Sequence, residues 1–278
     1  KGRRDEALTL LERAYTLMPR VPRYGYVYAV ALHDAGSVDR AVAVLTDSSV
    51  VDHGHVAGLP AIVADDPRQV LGSVAAEIYG HPASALLLIG VTGTNGKTSV
   101  AAFCRQIWAG LGHKSASMGT LGVVGQKGDK TYALTGPGLT SPDAAEAARL
   151  MAELAAKDVT HVALEASSHG IDQRRLDGVA LKAAAFTNLT QDHLDYHGTM
   201  ADYRSAKMRL FETLLPRGRT AVLNADSDAY SVFASASIMA GLGVMGVGER
   251  GRDLALIGRR ATPEGQRAFL NVEDYFRR

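Results

Sequence analysis

The sequence predicts an α/β fold in which a mostly parallel β-sheet is covered by helices on both faces. Short apolar runs alternate along the chain with longer amphipathic segments, as in strands joined by crossover helices. A glycine-rich loop at residues 90–99 follows one apolar run and precedes one helical segment, which is typical of phosphate-binding folds. The 278 residues are 46% hydrophobic and 21% charged, so the chain can bury a core of this kind.

The elements are predicted from run length and periodicity. Strands are expected over residues 61–63, 85–91, 115–118, 160–164, 183–187 and 221–223. Helices are expected over residues 67–79, 98–111, 143–156 and 200–215. A hairpin is expected over residues 123–134, because turn-forming residues separate two short runs. Three further runs, at 243–247, 254–257 and 268–272, predict a small β appendage.

The first 45 residues carry a different pattern. Gly2 and Ala7 recur as Gly36 and Ala41 after 34 residues, a spacing that resembles tetratricopeptide repeats. It predicts a helical hairpin, with helices over 3–17 and 24–35, that could hold a protein partner; an unrelated hairpin with the same spacing is the alternative. Residues 41–46 fit either a helix or a buried strand, because periodicity cannot separate the two in so short a run.

The charge balance excludes some classes of partner. The chain has 30 basic and 29 acidic residues, a formal net charge of +1, so we expect no nucleic acid or anionic membrane as partner. The apolar stretch at 27–32 is too short to span a bilayer, and no signal-peptide pattern is present. Cys104 is the single cysteine and cannot form an internal disulfide. We therefore expect a cytoplasmic monomer without membrane insertion.

The glycine-rich loop carries the clearest chemistry. Its glycines let backbone N–H groups face phosphate oxygens, and the helix that follows adds a dipole favourable to anions. Lys97 is placed to reach the β- and γ-phosphates of ATP, and the Thr98 hydroxyl to hold Mg²⁺. The spacing departs from the common form because Val91 stands where that form has its first glycine. The residues expected to bind ATP are Gly93, Thr94, Asn95, Gly96, Lys97, Thr98 and Ser99.

The loop resembles that of the Mur ligase family. Segments at 79–82, 118–122, 139–143, 165–178 and 186–198 are similar to that family in order and spacing, and in particular to its branch that adds the third residue of the peptidoglycan stem peptide. Folylpolyglutamate synthetases, which share the superfamily, have Lys-Gly-Ser in the loop, whereas this chain has Lys97, Thr98 and Ser99. The resemblance implies a ligase that uses ATP to add meso-diaminopimelate or lysine to UDP-N-acetylmuramoyl-L-alanyl-D-glutamate through an acyl phosphate.

The resemblance also implies a metal site. Glu165, His193 and Lys207 match positions that surround two Mg²⁺ ions in the family, together with Thr98. Lys207 is expected to be N6-carboxylated, since a carbamate supplies the oxygen ligands that a hard cation prefers. The implied catalytic residues are therefore Lys97, Glu165, His193 and Lys207. Asn188 and His169 are also expected near ATP.

A further set matches positions that hold the nucleotide-sugar dipeptide in the family. Arg175 suits an anionic substrate because its planar fork can bind a carboxylate or phosphate with two hydrogen bonds. For the serines and threonine the alternative is helix capping, with Thr140 or Ser141 before a helix start near Asp143. The set consists of Thr140, Ser141, Ser167, Ser168, Gln173 and Arg175.

The repeat spacing and the resemblance to Mur ligases together predict the domain organisation. We expect the helical hairpin over residues 1–45, a remnant or linker of the N-terminal Mur domain over 46–84, and the central ATP-binding domain over 85–278, with the C-terminal Mur domain absent. The absent domain selects the amino acid in this family, so the added residue stays open. Two alternatives to ligase activity remain: ATP binding without turnover, and an interaction scaffold formed by the hairpin.

Overall fold

A small mixed sheet begins the described structure. The computed structural model describes residues 28–30, 43–48, 55–56, 59–134, 141–263 and 265–272. The sheet has the order β1-β2-β4-β3, in which β2 and β4 are parallel and the outer strands are antiparallel to their neighbours. Its strands are β1 (Tyr28–Val30), β2 (Ala43–Thr46), β3 (His55–Val56) and β4 (Leu59–Val63).

A ten-stranded sheet forms the main body. Seven neighbouring strands are parallel, and an antiparallel hairpin closes each end. The order is β14-β13-β12-β11-β10-β5-β9-β6-β7-β8. The strands are β5 (Leu87–Thr92), β6 (Ser115–Gly119), β7 (Gly122–Lys127), β8 (Lys130–Leu134), β9 (His161–Glu165), β10 (Ala183–Phe186), β11 (Thr220–Asn224), β12 (Gly243–Gly248), β13 (Leu254–Thr262) and β14 (Gly265–Val272).

Helices flank this sheet. They are α1 (Pro67–Ile78), α2 (Lys97–Gly110), α3 (Ala144–Ala156), α4 (Ser168–Asp172), α5 (Leu194–His197), α6 (Met200–Arg209) and α7 (Tyr230–Met239), with a 3₁₀ turn at Pro82–Ala85 and a π-helical turn at Leu210–Leu214. Helix α2 packs against β6 and β9, and α7 against β11 and β12. None of the helices in the described ranges is both long and apolar enough to cross a bilayer.

The core lies between the parallel strands and these helices. Leu88 and Val162 are fully buried on adjacent strands, and Leu150 is fully buried on α3. Phe186 stacks on Phe233 of α7 with 3.9 Å between ring centroids. Burial of these side chains fixes the parallel strands in register, so the carboxyl ends of β5, β9 and β10 meet at one edge of the sheet.

Most of the predicted elements are confirmed. The mostly parallel α/β sheet is present, the predicted strands and helices of its main part match observed elements, and residues 43–46 form a strand. The helix predicted over 200–215 ends as an α-helix at Arg209 and continues as the π-helical turn. Sequence patterns missed α4, α5 and α7.

Two predictions need correction. The helix predicted over 24–35 is wrong at Tyr28–Val30, which is a strand paired with β2; tyrosine and valine favour strands, and the pairing satisfies the backbone. The other predicted helix, over 3–17, lies outside the described residues. The three strands of the predicted β appendage exist, but they extend the main sheet, because β12 pairs in parallel with β11.

Candidate active site

The glycine-rich loop turns sharply between β5 and α2. Gly93 has φ +147° and Gly96 has φ +86°, values in the range that glycine adopts without strain. A Cβ on Gly93 would lie 1.9 Å from Thr187 Oγ1, so this position also has no room for a side chain. The loop therefore needs glycine for backbone conformation and for its close approach to the next strand.

Residues that follow β10 hold the loop. The Asn95 N–H donates to Asn188 Oδ1 at 3.0 Å, and Asn188 Nδ2 donates back to the Asn95 carbonyl at 3.2 Å. The Thr94 N–H donates to the Asn188 carbonyl at 2.9 Å. Asn188 is thus adjacent to the loop, and both ends of its side-chain amide form hydrogen bonds with the loop backbone.

The Thr94 side chain adds a buried contact to the same region. Its hydroxyl lies 3.2 Å from the hydroxyl of Tyr203 on α6 and accepts from the Thr190 N–H at 2.9 Å. Tyr203 is fully buried. Thr94 consequently joins the loop to α6 as well as to the segment after β10.

Two lysine amines share one carbonyl of the loop. Lys97 Nζ donates to the carbonyls of Gly93 and Thr94 at 3.0 and 2.8 Å, and Lys207 Nζ donates to the same Gly93 carbonyl at 2.8 Å. Lys207 is completely buried, and its amine lies 4.4 Å from the centroid of the Tyr203 ring.

This arrangement changes the titration of both amines. Burial, reinforced by the charge of Lys97, lowers the pKa of Lys207 to about 7. Burial also lowers the pKa of Lys97, although the carboxylates of Glu165 and Asp192 oppose the shift. A substantial fraction of Lys207 is therefore a neutral amine near neutral pH.

Glu165 ends β9 beside the start of α2. Its carboxylate accepts from the Thr98 hydroxyl at 2.9 Å and from the N–H and hydroxyl of Thr120 at 2.9 and 3.2 Å. A Cβ on Gly119 would lie 2.0 Å from Glu165 Oε1, so glycine at the end of β6 makes room for the carboxylate. Carboxylate and hydroxyl oxygens are the ligands that Mg²⁺ prefers, and this donor set fits that ion.

Several aromatic rings lie close together near the loop, and two of them, His169 and His193, line the same cavity as Thr98 and Glu165. The centroid of the His193 ring is 4.8 Å from that of His169, which also lies 4.1 Å from the ring of Tyr196. His193 Nε2 is 3.5 Å from Asp192 Oδ2. Burial, together with the nearby His193, His197 and Arg175, lowers the pKa of His169. Protonation of His169 is disfavoured there.

The metal role of these residues is not tested by the geometry. Across the described ranges, no group of three or more His, Cys, Asp and Glu side chains is arranged to hold a metal ion. Thr98 and Glu165 are in contact, whereas the Lys207 amine bonds the Gly93 carbonyl. The predicted four-residue metal set therefore stays a prediction.

Four of the predicted substrate residues, Ser141, Ser167, Gln173 and Arg175, form a connected group beside Glu165. The buried Ser141 hydroxyl donates to the Glu165 carbonyl at 2.9 Å and lies 3.1 Å from Ser167 Oγ. Arg175 Nη1 donates to the Ser141 carbonyl at 2.9 Å, and Gln173 Oε1 accepts from the same guanidinium at 2.7 and 3.1 Å. These bonds orient the Arg175 fork at the cavity wall.

The helix-capping alternative holds for Ser167 and not for Ser141. Helix α3 is capped by Asp143, whose Oδ1 accepts from the Glu146 N–H at 2.9 Å, so Ser141 is free of that role. Ser167 does cap α4 by accepting from the Gly170 N–H at 3.0 Å. Ser168 is buried, and its hydroxyl has no hydrogen-bond partner in the part of the chain that the structure describes. Thr140 lies outside the described residues.

One cavity of about 430 Å³ brings most of the predicted residues together. Among the predicted residues that the structure describes, those that do not line it are Gly93, Ser99, Ser168, Gln173, Asn188 and Lys207. Thr120 and His169 do line it. Sequence analysis gave Thr120 no role, although it lies two residues after the end of the strand predicted over 115–118, and polar site residues often occur at strand ends. The lining consists of Thr94, Asn95, Gly96, Lys97, Thr98, Thr120, Ser141, Glu165, Ser167, His169, Arg175 and His193.

A parallel sheet, a phosphate-type loop at a strand end and an acidic residue on the neighbouring strand define a nucleotide-binding α/β domain. The family model of the Mur ligase middle domain matches residues 91–274. The chain therefore belongs to the Mur ligase family.

Curated relatives show which members of the Mur ligase family this chain is similar to. The chain is 56% identical to the UDP-N-acetylmuramoyl-L-alanyl-D-glutamate–2,6-diaminopimelate ligase of Caulobacter vibrioides, over 78% of this chain and 44% of that protein. It is 46% identical to the ligase of the same name from Brucella melitensis, over 89% of this chain and 48% of that protein. The chain thus spans about half the length of the curated relatives it matches.

Solved structures agree. A diaminopimelate ligase of that name superposes with a TM-score of 0.65 at 28% identity, covering 78% of this chain and 44% of the other. A folylpolyglutamate synthase from Mycobacterium tuberculosis, complexed with ADP and AMPPCP, has a TM-score of 0.57 at 18% identity, over 73% and 51% of the two chains. The second likeness shows the shared fold alone.

Proposed function

We propose that the protein is a MurE-type ligase that uses ATP to join an amino acid to UDP-N-acetylmuramoyl-L-alanyl-D-glutamate. The observation that carries the proposal is the contact of Thr98 with Glu165 where the glycine loop meets α2, beside Lys97. The names and identity of the Caulobacter and Brucella relatives support meso-diaminopimelate as the added residue. The match over residues 91–274 supports the assignment of 85–278 as the central domain.

The loop would bind the triphosphate through its backbone. Lys97 now bonds two loop carbonyls, and rotation of its side chain would bring the amine to the terminal phosphates. Joining a carboxylate to an amine needs the carboxylate first to become a better electrophile, and transfer of the γ-phosphoryl group achieves this. Cations aimed at the transferring group lower the repulsion between the two anions.

We further propose that Thr98 and Glu165 hold magnesium, and that His193 and N6-carboxylated Lys207 complete sites for two ions. Bound Mg²⁺ would neutralise charge on the phosphoryl oxygens. The low pKa of Lys207 supports carboxylation, since only a neutral amine attacks CO₂. The Arg175 fork would orient the anionic dipeptide, with Ser141, Ser167 and Gln173 fixing its direction through the bonds described above.

Nucleotide affinity of the 278-residue chain tests this proposal. Titration calorimetry with ATP and Mg²⁺ should show magnesium-dependent binding, and Lys97→Ala should weaken it by about a hundredfold, because a charged hydrogen bond to phosphate is lost. Lys130→Ala, which removes an exposed lysine from the β7–β8 hairpin, should bind as the unchanged chain does.

A turnover assay then separates the alternatives. Phosphate release that requires both the dipeptide and meso-diaminopimelate would establish ligase activity in this chain. Nucleotide binding without such release would identify the ATP-binding alternative. If the folded protein shows no magnesium-dependent binding of ATP, the proposed function is contradicted.

A further inference from the structure

The Thr187 hydroxyl contacts two backbone carbonyls in and beside the glycine loop. Thr187 directly follows β10, and its Oγ1 lies 2.6 Å from the Asn95 carbonyl and 3.3 Å from the Thr92 carbonyl. Its backbone N–H donates to the same Thr92 carbonyl at 3.0 Å. One residue therefore touches the last residue of β5 and the middle of the loop.

The Thr187 side chain also packs against two of the loop glycines, Gly93 and Gly96. Its Oγ1 is the nearest atom to a Cβ built on Gly93, at 1.9 Å, and its Cγ2 and Cβ are the atoms nearest to a Cβ on Gly96, at 3.9 and 4.0 Å. The loop thus packs directly on Thr187.

Thr187 is itself held in place. Asn224, at the end of β11, donates through Nδ2 to the Thr187 carbonyl at 2.7 Å. With the bond from its N–H to Thr92, the Thr187 backbone is fixed from both neighbouring strands, so its hydroxyl presents a rigid donor to the loop.

The Thr187 hydroxyl is the closer of two donors that hold the Asn95 carbonyl, at 2.6 Å against 3.2 Å for Asn188 Nδ2, and so helps to set which way this loop peptide points. In a trans peptide the C=O of one residue and the N–H of the next point in opposite directions. A hydrogen bond that holds the Asn95 carbonyl toward Thr187 therefore turns the Gly96 N–H away from β10. Gly96 lines the cavity, and an N–H that faces a cavity is a donor for an anion.

We propose that Thr187 is a positioning residue that orients the Asn95–Gly96 peptide for phosphate binding. The inference rests on the proposed nucleotide binding and adds a residue to it. The hydroxyl is the acting group, because the methyl group of the side chain contacts the loop only by packing.

Two substitutions separate the hydroxyl from the packing. Thr187→Val keeps the shape and removes the donor, and we expect ATP–Mg²⁺ affinity to fall about tenfold. Thr187→Ser keeps the donor and should restore affinity to within about twofold of the original. Thr220→Val makes the same chemical change at the start of β11, where the side chain is not near the loop, and should leave affinity unchanged.

Calorimetry of the four proteins is run at a temperature where each is folded, as judged by its ligand-free melting curve. Equal affinity of Thr187→Val and the original chain would overturn the inference, as would equal weakening in the valine and serine variants. If the original chain itself fails to bind, the proposed function is contradicted, and this outcome is distinguishable from either of the other two.

Discussion

Lys207 has the most unusual surroundings among the candidate site residues. Its amine is buried, bonds a carbonyl that a second lysine also uses, and lies over an aromatic ring. Burial penalises the ammonium form and the nearby charge of Lys97 adds to the penalty. The consequence at the scale of one residue is a lysine that can act as a nucleophile near neutral pH.

We predict a carbamate on Lys207. At constant CO₂ pressure its occupancy should rise as pH increases through about 7, because the neutral amine becomes the main form above the lowered pKa. Carbon-13 NMR of protein equilibrated with labelled CO₂ would show one carbamate signal that Lys207→Arg removes.

Lys130→Arg is the matched control, because it makes the same substitution at an exposed lysine of the β7–β8 hairpin and should leave the carbamate signal unchanged. A carbamate signal that persists in Lys207→Arg, or that decreases with rising pH, would contradict the prediction.

Local sequence patterns predicted part of the site. Lys97 and Thr98 follow from a local pattern of glycines, so their place at the cavity could be predicted from adjacent positions. Thr187 could not, because its contact with Asn95 joins residues 92 positions apart. Thr120 was missed for the same reason, since its bond to Glu165 also crosses between strands.

At the scale of elements, helix starts follow rules of local chemistry. Asp143 caps α3 through a side-chain bond to the Glu146 N–H, and Asp66 caps α1 through bonds to the N–H groups of Arg68 and Gln69. Both caps satisfy N–H groups that the helix cannot use. Each cap thus fixes where its helix begins.

We predict that Asp143→Ala lowers the free energy of unfolding by about 1 kcal/mol, because it leaves a helix N–H unpaired. Asp143→Asn retains a side-chain acceptor and should lose much less. Urea unfolding followed by circular dichroism measures both. The same loss in the two variants would assign the effect to charge and contradict capping.

Element type was predictable where periodicity and length agreed, as in α2 and α3. It was not predictable for α4 and α5, which have five and four residues, because little more than one helical turn is too short for apolar positions to repeat. The error at Tyr28–Val30 has another origin: spacing of small residues suggested helix pairing, whereas pairing with β2 decides the conformation.

At the scale of the whole molecule, strand order places the chemistry. The sequence predicted a parallel sheet but not the order in which β10, β5 and β9 are neighbours, because that order depends on pairing between distant segments. The three strands are consecutive in space and separated in sequence. Their ends bring together the loop, Glu165 and Thr187.

We predict that protection from hydrogen exchange decreases from the sheet centre to its edge. Strand β5 is paired on both sides within the parallel region, whereas every residue of β14 is exposed and has one neighbouring strand. Unfolding that releases β14 therefore costs less than unfolding that releases β5. Mass spectrometry of peptides from the two strands tests this, and equal exchange rates would contradict it.

The placement of β10 beside β5 has a consequence for synthesis on the ribosome. The loop at residues 93–98 leaves the exit tunnel roughly 90 residues before the strand that must support it, counted from the separation of Asn95 and Thr187. Until that later segment emerges, the nascent loop lacks its hydrogen bonds from Thr187 and Asn188 to the Asn95 carbonyl. If the loop binds nucleotide as proposed, the nucleotide can therefore stabilise the fold only after Thr187 has left the tunnel.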